Sequence, residues 1–238
     1  MHMKSITSLP RRAFFFFYLT IRGIIARMAL KVRGITYYKP NYIYLNRFTE
    51  GGVVIDVGCG WEADFSLLMI RQHGLDAFGV DPTKKHTPAL HALEEKTDGK
   101  FHHLPLAVSR ENGSIIFHES RVHESGSILK EHTNIQNDET VSYQVESVTL
   151  TDLIQRIGVQ QIDILKLDLE GAEYSLLESV TRRDLESFSQ IFIEFHHHCT
   201  DFTRKDTRKM VKKITSNGFR MFSLDLHNYL FYQERARS

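Results

Sequence analysis

The sequence predicts an α/β fold, with a mainly parallel seven-stranded sheet, an antiparallel last strand and helices on both faces. Three observations predict it. From Gly52 onward, short apolar runs alternate with stretches of helical spacing, the pattern of repeated strand–helix units. The run Val53–Val57 passes into a glycine turn ahead of a helix, as the first strand of such a sheet does. The last two strand runs, Phe219–Leu224 and Tyr229–Tyr232, are joined by a turn at Asp225–Asn228. That turn is too short for a parallel crossover, so the final strand runs antiparallel.

The elements follow in order. Val53–Val57 is a buried-type strand, and Glu62–His73 carries helical spacing at Phe65, Leu68 and Met69. Ala77–Asp81 is the second strand and Ala89–Glu95 the next helix. Phe101–Val108 contains a third strand broken by Pro105, whose missing N–H interrupts a ladder. Ser114–Glu119 and Val141–Val148 alternate apolar and polar residues as a hairpin or edge ribbon does, with loop-like sequence between them. Thr151-Asp152 reads as the cap of a short helix ending at Gly158. Ile162–Leu167 is the fourth strand, Ala172–Val180 a helix, Gln190–Phe195 the fifth strand, and Thr203–Ser216 a helix stopped by Asn217-Gly218.

A length of 238 residues suits one domain over 51–238, with a hairpin insertion at about 110–148 and an N-terminal helical extension over 1–50. A net charge of +1 supplies no field for nucleic acid, and none is expected as a partner. Two cysteines cannot build a disulfide framework, which points to the cytoplasm. In the extension, Arg11-Arg12 precede the apolar run Ala13–Ile21, and Arg22 cuts that run short of a membrane span. Two readings stay open there: a lid helix packed on the domain, and a basic aromatic helix lying on a membrane surface as a peripheral contact.

In Asp56-Val57-Gly58-Cys59-Gly60 the glycines let the backbone turn sharply and approach a ligand, beside amides at the following helix start. Asp81 lies about 20 residues on, at a strand end, placed to accept ribose hydroxyls. Gly58-x-Gly60-x-x-Ala63 also satisfies a dinucleotide fingerprint, so NAD is the rival cofactor. Two features decide between them: the antiparallel last strand, and Asp56, since a carboxylate two residues before the first glycine repels a pyrophosphate and suits the ammonium and sulfonium of S-adenosyl-L-methionine. The expected cofactor-binding residues are Asp56, Gly58, Cys59, Gly60, Asp81 and, by the resemblance below, Ala107.

Lys166-Leu167-Asp168-Leu169-Glu170-Gly171-Ala172-Glu173 ends a buried strand in three carboxylates spaced around a glycine, at the sheet end where ligands bind. Asp168 and Glu170 are expected to face the pocket. Glu173 is read as a helix-start residue favoured by the helix dipole.

This segment resembles the signature of the FkbM family of methyltransferases. The resemblance covers Gly52 to Phe222 through four blocks in the family's order: Asp56–Gly60, Leu106–Ser109 followed by Gly113, Lys166–Glu173, and Ile193–His196. It implies a Rossmann-like class I methyltransferase fold and transfer of a methyl group from S-adenosyl-L-methionine. The implied acceptor is a hydroxyl of a sugar, glycolipid or related metabolite. Trp61-Glu62 stand where many relatives have a further glycine, and Pro105-Leu106 where relatives often have Asn.

A sugar hydroxyl needs a base or a metal, since its own pKa is far above neutral. Asp168 is the first candidate base, with Glu194 and His196 completing a cluster with it and Glu170 nearby. Base catalysis is preferred to a metal, and no metal ligands are assigned. The run His196-His197-His198-Cys199 does not read as a zinc site, because neighbours on an extended segment point to opposite faces. An NAD-dependent oxidoreductase or epimerase and a non-catalytic binding module are the rival functions. Acceptor specificity is expected in Gly113–Glu146 and the N-terminal helix.

Overall fold

The computed structural model describes residues 30, 32–38, 41–123, 126–129 and 138–234. The chain divides into two compact units, Met1–Asn46 and Arg47–Ser238. The aromatic run 14–17 lies outside the described residues. In the first unit, β1 (Ile35–Tyr38) and β2 (Tyr42–Leu45) form an antiparallel hairpin, pairing Ile35 with Leu45 and Tyr38 with Tyr42. This corrects the expectation of a wholly helical extension: Tyr- and Ile-rich runs flank Pro40, and such residues favour a pleated surface.

The second unit holds a seven-stranded sheet in the order β12-β13-β11-β10-β3-β4-β5. Its strands are β3 (Val53–Val57), β4 (Asp76–Val80), β5 (Phe101–Leu104), β10 (Ile162–Leu167), β11 (Phe188–Glu194), β12 (Arg220–Ser223) and β13 (Asn228–Tyr232). Strands β5 to β11 pair in parallel, while β13 runs antiparallel to both β11 and β12. The order reverses at β3, between β10 and β4, and a crevice at the carboxyl ends of the strands is the ligand position of such sheets.

All five residues of β3 are buried, as are all six of β10 and all five of β13. Their apolar side chains, including Val53, Ile55, Val57, Leu165, Leu167, Tyr229 and Phe231, belong to one core with Ile191 and Ile193 of β11. Helices α1 (Asp64–His73), α2 (Thr87–Lys96), α3 (Leu150–Ile157), α4 (Glu173–Ser179), α5 (Arg182–Glu186) and α6 (Arg204–Ser216) lie between the strands, with a 3-10 turn at Lys84–His86 before α2. Capping boxes start α5 (Thr181 with Asp184) and α6 (Thr203 with Asp206), satisfying amides that have no intrahelical partner. The cap of α3 is Thr149, whose side chain accepts from the Asp152 amide; the expected Thr151 instead donates to Asp184 at 2.5 Å.

The insertion is a separate four-stranded sheet in the order β6-β9-β7-β8, built from β6 (Ala107–Val108), β7 (Gly113–Ser120), β8 (Gly126–Ser127) and β9 (Thr140–Val148). The expected hairpin is its central β7–β9 pair. Among the described residues no helix is long and apolar enough to cross a membrane.

The strand-to-helix turn after β3 admits only glycine at its first position. Gly58 has φ +75, and a Cβ on it would sit 1.8 Å from the Asp168 carbonyl oxygen. Gly60 has φ +66 but open space where its Cβ would be. Gly58→Ala is therefore expected to destabilise by more than the about 1–3 kcal/mol of backbone strain alone, and Gly60→Ala by no more than that strain. Urea unfolding midpoints measure the difference, and equal costs at the two positions would contradict the close approach.

Candidate active site

Strands β3 and β10 place Asp56 and Lys166 beside one another in the sheet register. Both are buried, Asp56 at 0% exposure and Lys166 at 3%. Lys166 Nζ donates to the Gly58 carbonyl at 2.9 Å, and lies 3.1 Å from Asp56 Oδ1 and 3.4 Å from Asp168 Oδ2. The Asp56 contact lacks hydrogen-bond alignment, but charge attraction away from water does not depend on it. Asp56 Oδ2 accepts from the Ser66 amide at 3.2 Å and its hydroxyl at 2.8 Å. Burial pushes the Asp56 carboxyl up, against the pull of Lys166 and Ser66. Asp56, expected to meet the cofactor, is placed beneath the turn, where a charge inside a fully buried strand finds partners within the protein.

The signature after β10 bends back on itself. Glu170 has φ +50, strained for a residue with a Cβ, and Gly171 has φ +102, where a Cβ would come within 2.7 Å of Thr200. Glu173, the first residue of α4, is 0% exposed. Its carboxylate accepts from the amides of Leu169 at 2.6 Å and Gly171 at 3.1 Å, and from His196 Nδ1 at 2.9 Å. Opposite, His196 Nε2 lies 3.5 Å from Asp168 Oδ1 and 3.7 Å from Glu170 Oε2. The structure thus brings Asp168, Glu170 and His196 together as the sequence predicts. It adds Glu173, read from the sequence only as a helix-start residue.

Burial alone would lower the His196 imidazole, but the charge and hydrogen bond of Glu173, followed by Asp168 and Glu170, push it up to about 10. Burial, then the Asp168 charge, pushes the Glu194 carboxyl at the end of β11 up to about 7. Asp168 and Glu170 are partly open members of the cluster, with 29% and 24% of their side chains exposed. Asp168, Glu173 and His196 also offer one donor atom each within 4.8 Å of one another, a set that could hold a divalent cation. The rest of the histidine run separates: His197 Nδ1 meets Thr207 Oγ1 at 3.0 Å, His198 is exposed, and Cys199 Sγ lies against the His196 carbonyl.

The profile of the Methyltransferase FkbM domain matches residues 71–221, more than half of the chain. The chain belongs to the FkbM methyltransferase family. The glycine turn lies just ahead of the matched stretch. Probable methyltransferase-like protein 24 of Rattus norvegicus is 32% identical over 82 residues, and that of Homo sapiens 32% identical over 89. The alignments take in 31% and 34% of this chain, and the chain spans 23% of the length of each relative. Among solved structures, a fibrillarin/Nop5p complex is similar over 81% of this chain and 77% of that one, at 11% identity and a TM-score of 0.47. TrmK of M. capricolum with S-adenosyl-homocysteine is similar over 80% and 67%, at 10% identity and a TM-score of 0.41.

This FkbM methyltransferase takes S-adenosyl-L-methionine as its methyl donor, and the residues at the crevice fit that molecule. The face of Gly60 is open where a side chain would block it. Asp81, at the end of β4, is an acidic strand-end residue of the ribose-binding kind. Burial opposes its ionisation, yet His86 and Thr83 outweigh burial and hold the carboxyl below the usual carboxylate range. Cys59 is buried in the turn, and burial pushes its thiol up. Ala107 departs from expectation: its methyl is taken up in the small core of the insertion with Phe117 and Val145, which leaves only its backbone for a ligand.

The raised His196 value makes stability depend on pH in a stated direction. Below about 6.5, the value of the free imidazole, folded and unfolded chains both carry the proton and the full contribution is present. As pH rises the unfolded chain releases its proton first, and the contribution is lost on the way up through about 10. Thermal midpoints of the native protein are expected to fall over this window, and those of His196→Gln to fall less. Parallel slopes for the two proteins would contradict the buried imidazolium.

Proposed function

We propose that this methyltransferase acts on a hydroxyl of a sugar, glycolipid or related polyhydroxylated metabolite, with Glu194 as the group that takes the hydroxyl proton. The observation that carries the reading is the Glu194 carboxyl raised to about 7 beside Asp168 and His196, because a general base works best with a pKa near the operating pH. Asp168, the base expected from sequence, stands between Lys166 and His196, with its two oxygens turned to those groups.

When bound, S-adenosyl-L-methionine supplies a methyl group on a sulfonium, open to in-line displacement. The protein's part is to hold and orient the acceptor. Glu173 holds the His196 ring through Nδ1, so that Nε2 donates into the space shared with Asp168 and Glu170. Asp168 and Glu170 accept hydrogen bonds there. Several acceptors around one fixed donor match an acceptor molecule carrying neighbouring hydroxyls. Glu194 then receives the proton from the reacting oxygen.

Turnover of labelled S-adenosyl-L-methionine against sugars, glycolipid precursors and small hydroxylated metabolites, with and without a chelator, tests the reading. With an accepted substrate, Glu194→Gln is expected to lower kcat by about 10²–10⁴-fold with little change in KM, and to abolish a rise in rate as pH passes through about 7. A pH–rate profile that keeps this rising limb in Glu194→Gln, or loses it instead in Asp168→Asn, removes Glu194 from the role. Turnover abolished by the chelator would move proton removal to a metal held on Asp168 and His196.

A further inference from the structure

The Asp81 carboxylate offers about four acceptor positions, and the protein fills three. The Gly60 amide reaches Oδ2 at 2.9 Å, the Thr83 amide reaches Oδ1 at 2.8 Å, and His86 Nδ1 meets Oδ2 at 3.3 Å. His86 closes the 3-10 turn at Lys84–His86 and is 4% exposed. An ionised carboxylate only accepts, so Nδ1 carries the proton and donates. In the tautomer that carries its single proton on Nδ1, Nε2 is an acceptor. That Nε2 is buried and has no hydrogen-bond partner among the described residues. A buried acceptor without a donor is a rare feature of native structures, and it stands here against the residue expected to bind ribose.

The segment carrying this ring is fastened from the other side. The Lys84 amide donates to Tyr143 Oη at 2.9 Å, and Lys85 Nζ donates to the carbonyls of Ser120 and His123 at 2.5 Å each. His103 Nε2 adds a contact to the Asp81 carbonyl at 3.1 Å. The ring is thus held in place by protein contacts, which lowers the ordering cost of using it for a ligand.

We propose that His86 is a cofactor-binding residue of this enzyme, its Nε2 accepting a hydrogen bond from an O–H or N–H donor on the adenosine half of the methyl donor. The donors there are the two ribose hydroxyls and the exocyclic amine of adenine, and both kinds present the same chemistry to an acceptor nitrogen. Asp81 and His86 then read adenosine together, the carboxylate through its remaining acceptor position and the imidazole through Nε2. The inference rests on the methyl donor and on Asp81 as its ribose ligand. It is independent of the acceptor substrate and of the base.

Two substitutions separate the ring's two nitrogens. His86→Asn retains a donor near the Nδ1 position for Asp81 and lacks the Nε2 acceptor, while His86→Gln places an amide oxygen near the Nε2 position. Isothermal titration of the full chain with S-adenosylhomocysteine, its 2′-deoxy and 3′-deoxy analogues and S-inosylhomocysteine reads out binding without turnover. The native protein is expected to bind one of these analogues about tenfold more weakly than S-adenosylhomocysteine, and which one names the donor. His86→Asn is expected to lose that discrimination, and His86→Gln to keep most of it. The proposal is overturned if His86→Asn discriminates as the native protein does. It is equally overturned if both variants weaken every ligand by one common factor, which marks a purely structural ring. Failure of the native protein to bind S-adenosylhomocysteine at all would remove its ground.

Discussion

The ammonium of Lys166 sits where two motifs distant in sequence become one object. It donates to the Gly58 carbonyl, balances Asp56 beneath the glycine turn, and reaches Asp168 at the head of the signature. The backbones make the same junction: the Asp168 amide donates to the Val57 carbonyl, and the Asp168 carbonyl lies where a side chain on Gly58 would have to go. The cofactor turn and the acidic loop therefore cannot move independently. Removing one partner of a buried pair costs about 3–5 kcal/mol, because the other charge is left without compensation. Such a pair adds little net stability compared with a well-packed apolar one; what it supplies here is registration of the turn against the loop.

From that junction a second line of charge runs outward through Asp168 to His196 and Glu173. Asp168, Glu170, Glu173 and Glu194 surround a space holding the cations Lys166 and His196, so carboxylates outnumber cations. The imbalance shows in both shifted groups: His196 holds its proton up to about 10 and Glu194 up to about 7. The Glu173 carboxylate is spent on two amides and the imidazole. The strained φ at Glu170 and the glycine at 171 are the backbone's contribution to turning those amides inward. Bound next to this cluster, a sulfonium brings a positive charge to a site with negative charge in excess.

How far the sequence discloses this depends on whether a feature is local. Val53–Val57, the antiparallel last pair and the β7–β9 hairpin are legible because strand patterns and short turns are local facts. The glycine turn and the signature are legible as motifs. Glu173 is not, because its meaning lies in a hydrogen bond to a ring 23 residues away across two helices and a strand, and a carboxylate at a helix start already has a sufficient local reason. The pairing of Asp56 is also a long-range fact. Near their carboxyl ends β3 carries Asp56 and β10 carries Lys166, of opposite sign, and their pairing across neighbouring strands satisfies both buried charges. The short helix α5 escapes notice because five residues show no period, and β1–β2 because the aromatic run before it dominates the composition of the extension.

The insertion gives the two halves of the crevice a common wall. On the cofactor side, Tyr143 of β9 accepts from the Lys84 amide and donates to Glu119, and Lys85 is tied to the end of β7. On the signature side, the Ser127 hydroxyl of β8 donates to the Glu170 carbonyl at 3.3 Å, and Leu129 packs where Gly171 has no side chain. A sheet fastened at both points couples the segment that carries His86 to the loop that carries Asp168 and Glu170. Variation in the insertion therefore reaches both the fit of adenosine and the space left for the acceptor. The parallel sheet beneath holds the strand ends in register.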